Sequence, residues 1–82
     1  MEILVETYRN PGEPSHARVR VRALPDQRLD GQDIGGLKVR CSVAMRTAWP
    51  VGTRFWLDVV LTQREGGPPF LHAGPRAAWR PA

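Results

Sequence analysis

The residues of this chain best suited to chemistry are arginines, and they come in alternating rows. Arg18, Arg20 and Arg22 alternate with Ala17, Val19, Val21 and Ala23. Lys38, Arg40 and Arg46 fall on the even positions of a run whose odd positions are Leu37, Val39, Cys41, Val43 and Met45. A third run puts Phe55, Leu57, Val59 and Leu61 on one parity, with Arg54 and Trp56 on the other. A guanidinium group presents a planar fork of donors that matches phosphate oxygens. An exposed indole gives an unpaired base a surface to stack on. The chemistry expected of this set is the gripping of a polyanion. Its members are Arg18, Arg20, Arg22, Lys38, Arg40, Arg46, Arg54 and Trp56. Single-stranded nucleic acid is favoured because of Trp56, and little sequence specificity is expected because phosphate contacts would dominate.

The same residues admit a second reading. Glu2, Glu6 and Asp58 share the outward parity of their strands, and opposite charges facing each other across strands contribute about 0.2–1 kcal/mol without any ligand. Rows of arginine also discourage sheet edges from pairing. The alternative is therefore a small protein-interaction or self-associating adaptor, a homodimer included. It would act through a sheet edge, an acidic partner surface or the Trp-rich C-terminal segment.

Other chemistry finds little support. Cys41 lies on the apolar parity of its run, where a free thiol packs as a small hydrophobe. His16 and His72 have no Cys or His partner at ligand spacing. Asp26, Asp30 and Asp33 lack both the alternation and the closing glutamate of a calcium loop. A nuclease site on Asp30, Asp33 or Glu65 has no further support. The chain is expected to be no enzyme and to carry no metal or cofactor.

Charge points the same way as the arginine rows. The formal net charge is +4 over 82 residues, which favours polyanionic or acidic partners. Twelve bases include the single Lys38. Arginine, together with the eight Pro and eight Gly, also tracks GC-rich codons, so part of this basicity needs no functional cause. The charge is segregated: residues 16–24 and 37–46 are basic, whereas residues 1–15 and 25–36 are acidic.

These residues need strands to position them. Alternation at a period of two describes strands with one buried and one wet face. Glu2–Tyr8 reads as a first strand, Ala17–Leu24 as a second, Leu37–Met45 as a third and Phe55–Thr62 as a fourth. Phe70–Ala73 reads as a short fifth, with Ala77–Arg80 a sixth segment or a covering tail. Val60 breaks the polar parity of the fourth strand, which suggests cover on both faces and a central place. Breaks fall at Asn10–Ser15, at Pro25–Gly36, at Ala48–Thr53 and at Arg64–Pro69, where Pro and Gly supply turn geometry. Pro25–Gly36 has room for one helical turn at Gln27–Asp30. Tyr8, Trp49, Phe70 and Trp79 are expected to close the ends of the core, the alternative being an exposed adhesive patch.

The fold class expected is all-β. It is a single small domain over residues 1–82: a five-stranded antiparallel curled sheet or small barrel, SH3-like or OB-like, with little or no helix. The short link between the third and fourth strands leaves no room for the helix many OB-folds carry. A chain of this size builds one thin core. The lone cysteine excludes an intrachain disulfide and suits a reducing, cytoplasmic setting. No run approaches the ~20 apolar residues of a membrane helix, so no membrane partner is expected.

Overall fold

A central strand, β1 (Glu2–Tyr8), organises the molecule. Ile3, Val5 and Thr7 are buried, while Glu2, Leu4, Glu6 and Tyr8 take the other face. The computed structural model describes residues 1–14, 18–63 and 66–82. The further elements are β2 (Arg20–Ala23), β3 (Arg28–Leu29), β4 (Gln32–Asp33), β5 (Val39–Arg40), α1 (Val43–Thr47), β6 (Arg54–Asp58), β7 (Val60–Thr62), β8 (Phe70–His72) and β9 (Trp79–Pro81). His16, Glu65 and the expected start of the second strand at Ala17 lie outside the described residues.

Strands make up 42% of the chain and helix 6%, so the all-β class holds. The sheet is not a closed barrel. A four-stranded antiparallel sheet runs β2-β1-β6-β9, and a three-stranded sheet runs β5-β8-β7. The β5–β8 pair is parallel, which departs from the expected all-antiparallel sheet. These strands are separated in the chain by α1, β6 and β7, a connection long enough for parallel pairing. The two sheets touch along their edges at an isolated Arg22–Lys38 bridge, reinforced by Ala23 N–H donating to the Leu37 carbonyl at 3.0 Å. Between them lies one apolar core, led by Phe55, Ile34, Leu57, Leu71, Val5 and Val21.

Two expected strands take a different course. The third stops at Arg40 and the chain turns into α1. Ser42 caps that helix: its backbone is extended and its Oγ accepts from Met45 N–H at 3.2 Å. Ser42 and Ala44 are the two even positions of the run that carry no charge, and a serine N-cap satisfies an otherwise orphaned helix donor. The fourth strand divides at Val59. β6 belongs to the first sheet and β7 to the second, and the buried Val59 is the crossing point, its N–H donating to the Met1 carbonyl. β6 is central as expected, flanked by β1 and β9, but Val60 is 65% exposed and so has no cover over it.

The long connection, which has room for one helical turn, holds a hairpin instead. β3 and β4 pair with Leu29 opposite Gln32, leaving Asp30-Gly31 as a two-residue turn. Both turn residues have positive φ, 52° and 76°. An Asp-Gly pair suits that turn because glycine adopts positive φ without strain and aspartate tolerates it. Gln27 then ties the connection back to the main sheet. Its Oε1 accepts from Leu4 N–H, and its Nε2 donates to the carbonyls of Leu4 and Leu24.

Candidate nucleic-acid interface

The outer face of the four-stranded sheet carries charges of both signs. Register places Glu6 between Arg22 on β2 and Arg54 on β6. Arg22 donates to Glu6 Oε1 at 3.0 Å and Arg54 to Glu6 Oε2 at 3.2 Å. The hydrogen bonds from Arg22 and Arg54 hold the Glu6 carboxyl below its ordinary value. Two rows along, Leu4, Trp56 and Arg80 stand side by side. Arg80 lies over the Trp56 ring, 5.4 Å from its centroid, and also forks onto Glu2 at 2.9 and 3.3 Å. Asp58 takes the terminal ammonium of Met1 at 2.7 Å. Each of the three outward acids is therefore engaged by a cation on this face, the arrangement in which a sheet needs no ligand.

The remaining cations gather elsewhere. Past the Arg22–Lys38 bridge, the runs 18–21 and 38–41 bound a cleft of about 440 Å³. Arg18, Arg20, Lys38, Arg40 and Arg46 line it, together with Tyr8, Val19, Val21, Val39 and Cys41. No carboxylate lines it among the described residues. Arg20 is drawn at 3.2 Å to Glu13, and Arg40 lies over the Phe70 ring, 5.0 Å from its centroid. Among the described residues Arg18 and Lys38 form no ion pair.

Arg46 is the residue furthest from expectation. Strand parity would put it on the wet face, but the helix turns it inward, and it is only 8% exposed. One guanidinium nitrogen, Nη1, donates to the Val19 carbonyl at 3.3 Å, and the buried Nε has no partner among the described residues.

Cys41 stands between this cleft and a second one of about 500 Å³, lined by Arg40, Cys41, Ser42, Thr62, Phe70, His72, Ala73 and Pro75. Burial pushes the Cys41 thiol up, against the opposing pull of the Arg46 and Arg18 charges. The packing role expected of this cysteine agrees with its half-buried place against the core. His72 is two positions from Phe70 on β8 and lies across from Arg40 in the β5–β8 register.

The eight residues singled out in the sequence thus divide. Arg18, Arg20, Lys38, Arg40 and Arg46 meet in the cleft. Arg22, Arg54 and Trp56 lie on the outer face. Strand parity could not show this division, because it depends on which acid faces which arginine. It also missed Tyr8, which lines the cleft and lies beneath the Arg22 guanidinium at 4.4 Å, and Phe70, beneath Arg40. The sequence marks both aromatics as core or patch residues, because their basic neighbours come from other strands. Asp26, Asp30 and Asp33 form no metal-ligating group among the described residues, and Asp33 instead accepts from the Gly35 amide at 3.0 Å. Trp49 packs against Phe55 and Trp79, with ring centroids 5.4 and 4.6 Å apart, and closes one end of the core.

Comparison with protein-family models, with curated proteins and with solved structures gave no match. The functional reading therefore rests on this geometry.

Proposed function

We propose that this chain is a non-enzymatic binding module for polyanions, with single-stranded nucleic acid as the leading ligand, and that the cleft between β2 and β5 is its grip. One observation carries the reading: five bases line one cleft from which carboxylates are missing among the described residues. Apart from Arg20, which Glu13 holds, cations gathered this way repel one another unless an anion joins them, whereas those of the outer face already have acids. The ligand's phosphates would run past Arg18, Lys38 and Arg40. The adjoining cleft, with His72, offers a base an imidazole to lie against, whereas the Trp56 ring already carries Arg80.

The test is fluorescence anisotropy with labelled single- and double-stranded oligonucleotides at about 50 and 200 mM salt, a range over which several phosphate contacts weaken binding by orders of magnitude. Two double variants of equal charge change separate the faces. Arg18→Gln with Lys38→Gln should weaken binding about tenfold or more, and Arg22→Gln with Arg54→Gln far less, because Glu6 already occupies those arginines. Equal losses from both pairs would remove the cleft from the argument.

The adaptor reading has its own feature. β9 ends the four-stranded sheet, and Trp79 on it is 37% exposed. Pro81 in the same strand removes a backbone donor and blunts that edge. A mass above monomer at micromolar concentration, unchanged by salt and abolished by Trp79→Ser, would favour it.

A further inference from the structure

Buried arginines in small domains ordinarily have a carboxylate, because an uncompensated charge away from water is costly. Arg46 has none within ion-pair distance among the described residues. It is nine-tenths buried, it lines the cationic cleft, and its Nε is left without a partner among the described residues. Arg18, Lys38 and Arg40 line the same cleft and add three more positive charges. Such a constellation asks for an anion of more than one charge that offers several oxygens at once. A carboxylate brings a single charge. A phosphodiester within a strand also brings one. A phosphomonoester brings close to two, with three acceptor oxygens.

We propose that the cleft is a seat for one phosphomonoester group, with Arg46 as the buried counter-charge at its floor and Arg18 and Lys38 closing over the phosphate from the rim. The inference deepens the polyanion reading by naming the group held, but it rests on the cleft alone and does not require a nucleic acid. The phosphate enters as the ion-pair partner that Arg46 does not have among the described residues. The volume of about 440 Å³ accommodates a phosphorylated sugar or a nucleotide end. The chain therefore prefers the phosphorylated end of a strand, or a small phosphorylated molecule, to the middle of a strand.

Three measurements on the whole chain decide it. The first is a titration with inorganic phosphate at constant ionic strength, followed by the side-chain Nε–H signals of the arginines in proton–nitrogen spectra. A saturable shift of the Arg46 signal, half complete at or below about 1 mM, is expected. The second is the thermal midpoint. Phosphate should raise it by linkage, and chloride at equal ionic strength should not. The same scan on Arg46→Met should find that variant as stable as the parent or more so in phosphate-free buffer, since an apolar side chain of similar length removes the unpaired charge. Its response to phosphate should be gone. If Arg46→Met fails to fold, Arg18→Gln replaces it, with the shift half complete at phosphate about tenfold higher.

The third measurement compares one short oligothymidylate with and without a 5′-phosphate. Binding about tenfold tighter with the phosphate is expected. Equal binding of the two oligonucleotides, with the Arg46 signal unmoved by phosphate, overturns the seat and leaves the polyanion reading standing. Saturable binding of inorganic phosphate without binding of either oligonucleotide keeps the seat and overturns the nucleic-acid reading.

Discussion

At the scale of single residues, Glu6 and Arg46 define the two faces by opposite means. Glu6 accepts from two arginines, so its carboxyl is held down by their hydrogen bonds. A group whose folded pKa is depressed contributes stability above its unfolded value and loses it as pH falls through the folded one. Urea unfolding should therefore show a loss of stability on acidification from neutrality into the acid range that is smaller in Glu6→Gln. At neutral pH that variant should cost about 1 kcal/mol, a modest figure because both arginines are well solvated. An unchanged acid dependence in Glu6→Gln would show that Glu6 contributes nothing to it. Arg46 is the reverse case, a charge with no carboxylate partner among the described residues. Residue type gave the chemistry of both, and parity placed Glu6 beside its arginines. Parity misplaced Arg46, because the alternation it relied on continues across Ser42 while the backbone has already left the strand.

At the scale of elements, β1, β2, β6 and the short β8 fall where strands were expected, whereas the third run, for all its strict alternation, keeps only Val39–Arg40 as strand. β1, β2 and β6 bury the residues their patterns marked: Ile3 and Val5, Val21 and Ala23, Phe55 and Leu57. The β3–β4 hairpin went unread because two-residue strands carry no period; the Asp30-Gly31 pair was its only signal. Its geometry yields a prediction: Gly31→Ala should destabilise by about 1 kcal/mol in denaturant unfolding, since the turn needs positive φ there. Gln27 is the other element-scale device. Its side-chain amide satisfies the backbone of Leu4 and the carbonyl of Leu24, as another strand residue would. Gln27→Ala should cost about 2 kcal/mol and raise amide hydrogen exchange at Leu4, because a half-buried donor is left unpaired. Unchanged exchange at Leu4 would mean that water replaces the glutamine.

At the scale of the whole molecule, the arrangement of charge replaces the amount of it as the deciding quantity. If all seven expected cations met phosphates, the salt slope for a single strand would be about −5; for the five of the cleft it is about −3.5. A measured slope at or shallower than the second value fits the cleft, and the steeper one restores the broad outer face. The sequence by itself determined the all-β class, the buried members of the long strands, the excess of guanidinium groups and the acids that share their parity. These follow from a period of two and from composition, which are local properties of the chain. Only the tertiary structure decided that the third run ends in a helix, that the fourth strand serves two sheets, and that Glu6 takes up Arg22 and Arg54 while Arg18, Lys38 and Arg46 converge with no acid among the described residues. Those outcomes depend on register and on contacts between residues far apart in sequence, and a one-residue change of register would exchange every neighbour on the face.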